Sequence, residues 1–406
     1  MSQPKTAGTA QGIVCALLPL FAMLGAVLIA PILGVMSQHF SDTPNSQVLV
    51  PLLLTAPALC LALLSPLAGM LGNRIGYRPV ILVSLTFYGI TGVAPIFLES
   101  LHAILISRLL VGIAEAGIVT CCMAIMSHYF TGDDRQKWFT ITNIAMPWAG
   151  AVVIAGTGML GSMDWRLTFA SYGLSLLVLV AAVIYLFEPV IEREPSTPAA
   201  TADKTNFPGW PVTLRIVLIA ITGSVAFYIA PVKLAFLLQD QGVNSPSVNA
   251  NIMALGLVVG GPSGAVLARL LKHRNVGTVL AMAMGTMTAG LAIMALGNNA
   301  ITIGAGTVIQ QMGGGMMLVT AMTYVMSLAQ PNQRGTFSGI WWFTYTMANF
   351  VTPLLMSALL FLTDSHSASV LAAGGLIIVV CLWLLTANAF RRQIVEQGGV
   401  LEMGGH

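Results

Sequence analysis

Arg108, Glu115 and Lys233 are the charged residues that stand in the interior of long apolar runs of this chain, away from the run ends, and groups of these types can bind protons or anions. A charged side chain at the centre of a bilayer-spanning helix costs at least ~2.5–3.5 kcal/mol, so such residues tend to face a polar cavity and carry function. Arg108 and Glu115 are seven residues apart, two turns along one helix face. Their separation along the axis is ~10 Å, long for a direct ion pair and suited to lining one water-filled cavity. Glu115 is the only acid in the interior of any apolar run, which makes it the expected proton-coupling residue. Burial and a neighbouring cation act in opposite senses on a carboxyl's hold on its proton, as a switched proton carrier requires. The plainer alternative is a constitutive bridge from Glu115 to a cation that only fixes helix packing. Lys233 lies about one and a half turns from the end of its run. It either snorkels to the interface or places a cation in the outer half of the cavity, drawing in an anionic group.

Uncharged polar residues at the same depth extend the list of possible substrate contacts. Asn143, Gln310, Gln311 and Asn349 fall inside apolar runs, and Tyr228, Trp341, Trp342 and Tyr345 could form an aromatic wall. Trp341 and Trp342 are adjacent, so they cannot both face inward. Interhelical hydrogen bonding is the commoner task of such amides. The five cysteines (Cys15, Cys60, Cys121, Cys122 and Cys381) lie within apolar runs without metal-ligand spacing, and read as small core residues. No Walker motif, nucleophile elbow or His/Cys cluster is present, so neither ATP hydrolysis nor enzyme chemistry is expected, and no cofactor or metal.

The elements that must position these residues are twelve apolar stretches of about 20 residues or more, long enough for a helix to cross the hydrocarbon layer. They run over 12–37, 48–71, 79–98, 103–127, 139–162 and 167–187, then 212–238, 248–271, 276–296, 300–327, 336–362 and 369–390. We number them spans one to twelve. They are apolar on all sides, where a soluble helix would carry charge on one face. Of the 406 residues 56% are hydrophobic and 8% charged, which fits a polytopic membrane protein and excludes a soluble domain.

Placing both termini on one side gathers nearly all the loop Lys and Arg residues there, from Lys5 and Arg74 to Arg391 and Arg392. Arg166 is left on the other side. The positive-inside rule then puts both termini in the cytoplasm. These charges are scattered over short loops, so no nucleic-acid surface is expected. The segment 1–10 with the run that follows does not read as a cleavable signal peptide.

The chain divides at its middle. Residues 1–187 form an expected N-terminal six-helix bundle, 188–211 a polar cytoplasmic linker, and 212–406 a C-terminal six-helix bundle. The halves echo each other. Gly69 and Arg74 at the end of span two have the spacing of Gly264 and Arg269 at the end of span eight, and Met126-Ser127 recurs as Met326-Ser327. Two parallel six-helix repeats are the internal symmetry of one transporter class, with the substrate site near mid-membrane.

Residues 69–78, Gly69-Met-Leu-Gly-Asn-Arg-Ile-Gly-Tyr-Arg78, resemble the loop signature of the major facilitator superfamily. Gly69, Leu71, Arg74, Gly76 and Arg78 match; Asn73 stands where the family has Asp, and Tyr77 replaces a basic residue. The resemblance implies an all-α membrane fold of twelve transmembrane helices in two pseudo-symmetric six-helix bundles. It also implies a cytoplasmic gate at Gly69, Asn73, Arg74, Gly76 and Arg78, weakened by the missing charge at Asn73. Without the resemblance, Arg74 and Arg78 are topology anchors. In span four Arg108 and Gly112 match a family motif, and Glu115-Ala116 resembles branches that move organic anions with cations. Pro147 and Gly150 in span five are a partial match to the antiporter motif, and 228–238 in span seven resembles efflux permeases.

The expectation is a proton-coupled secondary active transporter that exports a small organic or amphipathic compound by alternating access. The alternative is proton-coupled uptake of a small organic anion, with Arg108 and Lys233 as counter-charges. Expected substrate contacts are Arg108, Lys233, Gln310, Gln311, Asn349, Tyr228, Trp341 and Tyr345. The partners implied are a small-molecule substrate, protons and the lipid bilayer. The place implied is a bacterial inner membrane, with the protein acting as a monomer.

Overall fold

Inside hydrocarbon every backbone N–H and C=O must find its partner within the chain, so an apolar run of this length becomes a helix. A computed structural model of the chain describes residues 7–189, 210–328 and 334–386, and every regular element among them is helical. Residues 190–209 of the expected linker lie outside the described residues, as does the side chain of Asn143.

Ten of the described helices are long and apolar enough to cross a membrane, among them Ser46–Ile75, Leu101–Tyr129, Trp210–Asp240 and Val276–Leu296. Beside them stand the shorter apolar helix Thr9–Ala22 and the 29-residue helix Ala300–Leu328, which carries Gln310 and Gln311 at its middle. Large apolar side chains such as Phe97, Ile301 and Phe361 are more than four-fifths exposed, as lipid-facing residues should be.

Span one is the one that departs most from a single rod. Thr9–Leu17, Leu20–Val27, a 3-10 turn Ala30–Ile32 and Leu33–His39 follow one another, and Pro19 and Pro31 mark two of the breaks because proline brings no N–H to the helix ladder. Pro95 likewise ends the Tyr77–Val93 helix in a 3-10 turn, Ala94–Ile96. Span eight passes through a π-turn, Gly256–Gly260, between Pro246–Leu255 and Gly261–Leu270.

The described residues fall into two compact units. Among the described residues one comprises 7–189 with Asn244–Ala254, and the other 210–243 with 255–328 and 334–386. The short segment 244–254 joins the first unit through specific contacts. Asn249 Nδ2 donates to the carbonyls of Ala30 (3.1 Å) and Pro31 (3.2 Å), and the Ser247 N–H donates to Ser162 Oγ (3.2 Å). Gly158 permits the approach, since a Cβ there would lie 3.0 Å from the Pro246 carbonyl oxygen.

Candidate functional site

Proline leaves the carbonyl four residues before it without a helical donor, and three such carbonyls are met by side chains of neighbouring spans. Pro95 frees the Thr91 carbonyl. Ser107 Oγ donates to it at 2.9 Å and Arg108 Nη2 at 3.3 Å, and the same nitrogen donates to the Gly92 carbonyl at 3.0 Å. Pro19 frees the Cys15 carbonyl, which accepts from Cys122 Sγ at 3.2 Å. In the second unit Pro231 frees the Phe227 carbonyl. Gln310 Nε2 donates to it at 3.0 Å and to the Ala226 carbonyl at 2.8 Å.

Arg108 is fully buried. Its guanidinium carbon lies 4.6 Å from the Tyr172 ring centroid and 5.0 Å from that of Phe169, so two aromatic faces stand where water would be. Its Nε and Nη1 have no hydrogen-bond partner among the described residues. The arginine thus joins spans three, four and six, and keeps donors in reserve.

Glu115 sits two turns further along the same helix, Leu101–Tyr129, and is 1% exposed. Its Oε1 has no hydrogen-bond partner among the described residues. The carboxyl lies against the backbone of Gly25 in the Leu20–Val27 helix: a Cβ at Gly25 would overlap Oε1 and lie 2.8 Å from the carboxyl carbon. Gly112, one turn before Glu115, brings span four onto span two, where a Cβ would be 2.7 Å from Pro57 Cα. Glycines on both sides therefore set how closely helices enclose this acid.

In the second unit Asn349 is buried, and its Oδ1 meets the Ser224 hydroxyl, which also lies 2.7 Å from the Tyr345 carbonyl oxygen. Tyr345 stacks on Trp341 with ring centroids 5.9 Å apart. Trp341 is fully buried with its Nε1 unpartnered among the described residues, whereas the adjacent Trp342 is 47% exposed. Tyr228 contacts Phe227 edge to face at 5.5 Å, and Gln311 is buried beside Gly256, where a Cβ would be 2.9 Å from its Cγ. Lys233 stands apart from this group. Its ammonium donates to His366 Nδ1 at 3.1 Å, and the His366 ring stacks on Phe236 at 5.0 Å.

The 69–78 loop has its own network in the first unit. Gly76 adopts φ +103°, a region natural to glycine, and turns the chain from Ser46–Ile75 into Tyr77–Val93. Glu188 caps the second helix: its two carboxyl oxygens accept from the N–H groups of Tyr77 (2.7 Å) and Arg78 (2.8 Å). Arg78 Nη2 donates to the Val183 carbonyl at 2.9 Å. The Tyr77 hydroxyl donates to Asn73 Oδ1, so the two positions that depart from the superfamily signature bind each other. A Cβ at Gly69 would touch Thr120 at 3.4 Å, and Arg74 is exposed with no side-chain partner among the described residues.

The sequence matches the Major Facilitator Superfamily over residues 15–353. The chain belongs to this superfamily. It is 25% identical over 349 residues to an MFS-type efflux pump of Mycolicibacterium smegmatis, covering 80% of each chain. A bacillibactin exporter of Bacillus subtilis is 30% identical over 123 residues, 29% of this chain and 30% of the exporter. The fold is shared with a bacterial homologue of the human lysosomal transporter Spinster in an inward-facing, unoccupied conformation. That comparison has a TM-score of 0.73 at 18% identity and covers 95% of this chain and 98% of the other. The protein is a multi-pass membrane transporter of small molecules and not an enzyme.

Within this transporter the expected site residues separate into groups. Asn349, Tyr345 and Trp341 form one cluster, and Arg108 with Glu115 shares a helix. Gln310 Nε2 donates to two backbone carbonyls while its Oε1 has no partner among the described residues, and Lys233 donates to His366. Sequence reasoning missed Gly25, Glu188 and His366. The signal for Gln310 and Arg108 was present, since Pro231 and Pro95 each announce a carbonyl in need of a donor.

Proposed function

We propose that this transporter exports a small organic or amphipathic compound by alternating access, driven by protons that bind and leave Glu115. The observation that carries the reading is the single carboxyl at membrane depth, nearly fully buried with Oε1 unpartnered among the described residues. A buried polar atom without a partner is costly, so it is retained where its partner changes during a cycle. The names of the relatives support export: an efflux pump, the bacillibactin exporter, and Multidrug resistance protein 1 of Bacillus subtilis.

Arg108 acts on Glu115 through its charge and holds spans three, four and six in register, while Gln310 holds spans seven and ten. Substrate contacts fall to Gln311, Asn349, Tyr228, Trp341 and Tyr345, with Lys233 at their margin. Gly69, Asn73, Arg74, Gly76 and Arg78 form the cytoplasmic gate. In this reading the transporter sits in a bacterial inner membrane with both termini and the linker in the cytoplasm and works as a monomer; the charge bias and the bacterial relatives support the location. Anion uptake with Arg108 and Lys233 as counter-charges has less support, because the one is fully enclosed and the other engaged with His366.

The test is proton flux in proteoliposomes loaded with a pH dye and challenged with a panel of amphipathic compounds. At least one compound should move protons against its own flux. Proton movement in the same direction as an organic anion would select uptake instead.

A further inference from the structure

The second unit holds a cavity of about 480 Å³ at the end of spans eight, nine and ten, and its composition is divided. Val266, Val276 and Val319 line its body, while Arg269, Lys272 and Arg274 stand at the 269–274 turn. No hydrogen bond or ion pair of these three cationic side chains occurs among the described residues. The carboxyls among the described residues of this unit are Asp240 and Asp364. Trp210–Asp240 ends at Asp240, and Arg334–Thr363 ends just before Asp364, so each lies one crossing away from the 269–274 turn, on the opposite side of the membrane. No carboxyl among the described residues of this unit therefore stands beside the three positive charges. The Val276–Leu296 helix starts at the same place and adds the positive end of its dipole.

The apolar part of the cavity is open at the surface of the unit. Val266 is 58% exposed, Val319 43% and the neighbouring Leu270 72%. A ligand that fills it must carry an anionic group for the turn and hydrocarbon for the valines. A free phosphate satisfies the first need and leaves the walls uncovered.

We propose that this cavity binds an anionic phospholipid of the surrounding bilayer. The phosphate sits among Arg269, Lys272 and Arg274, and an acyl chain lies along Val266, Val276 and Val319. Each basic residue near a membrane surface attracts anionic lipid by an amount that, over three residues, amounts to about a hundredfold in affinity.

Native mass spectrometry of the purified full-length transporter, titrated with phosphatidylglycerol or phosphatidylcholine, tests this. Wild type should retain phosphatidylglycerol with a preference on the order of a hundredfold. The triple variant Arg269→Gln, Lys272→Gln, Arg274→Gln should lose that preference. Val319→Trp fills the apolar wall and keeps every charge, and it should lose phosphatidylglycerol as well, which separates the lipid from a bare anion. Undiminished preference in either variant overturns the proposal. So does displacement of bound phosphatidylglycerol by inorganic phosphate at millimolar concentration, which would assign the cations to a soluble anion.

Discussion

The Glu115 carboxyl rests on the backbone of Gly25, which offers it the space that any side chain would occupy. Two helices of the first unit thus define where the one acid at membrane depth can lie. Gly25→Ala forces the carboxyl to move, or the helices to part, at about 1–3 kcal/mol of overpacking. The expected outcome is a drop in proton-driven transport of at least about tenfold with a shifted pH profile, while the protein remains folded by size-exclusion chromatography. An unchanged pH profile would show that the position of the carboxyl is immaterial.

Gln310 and Pro231 form a matched pair: the proline removes the donor for the Phe227 carbonyl and the glutamine restores one. Gln310→Ala should destabilise the transporter by about 1–3 kcal/mol, because a buried acceptor loses its partner. In a Pro231→Ala background the helix supplies its own N–H, so the same change should cost less. Thermal unfolding of the four proteins in detergent gives the double-mutant cycle. Additive losses would mean that Gln310 serves something other than this carbonyl.

The helical runs and the 69–78 loop were legible because lipid demands long apolar segments and the loop demands glycine at Gly76, where φ is positive. Span one was legible as apolar, and its breaks at Pro19 and Pro31 were not drawn, although proline marks them. The partners of Arg108 and Gln310 were hidden because periodicity does not say which spans pack together. Gly25 gave no signal, since a glycine in an apolar helix is unremarkable until the neighbour it admits is known. Glu188 looked like the first residue of a polar linker; its role as a helix cap depends on a contact more than a hundred residues away in sequence. The His366 partner of Lys233 was not read from the sequence, because the two residues are 133 positions apart and His366 lies at the start of the last span.

Glu188 and Gly76 make the 69–78 turn rigid from one side. Glu188→Ala leaves the N–H groups of Tyr77 and Arg78 without their acceptor and should cost about 1 kcal/mol, read as a lower thermal midpoint. Glu188→Gln retains an acceptor and should recover part of the loss. Equal stability of all three proteins would assign the cap no weight.

Arg74 has no side-chain partner among the described residues, yet it belongs to the proposed gate. Arg74→Ala should slow transport several-fold and leave substrate affinity nearly intact, because the gate governs interconversion and not binding. Asn73→Asp places a charge beside Arg74 and the Tyr77 hydroxyl and should change the rate without changing affinity. Initial rates across a substrate series separate the two effects. A change confined to affinity in either variant would move this loop from gate to binding site.

Glu115→Gln tests the central claim most directly, since it keeps the shape of the side chain and removes its exchangeable proton. In proteoliposomes with an imposed pH gradient, and with the compound identified by the flux screen, wild type should accumulate substrate against its gradient. The variant should fail to do so while still exchanging labelled for unlabelled substrate across the membrane when no gradient is imposed. Accumulation by Glu115→Gln under the pH gradient at the wild-type level would contradict the account and place the coupling site elsewhere.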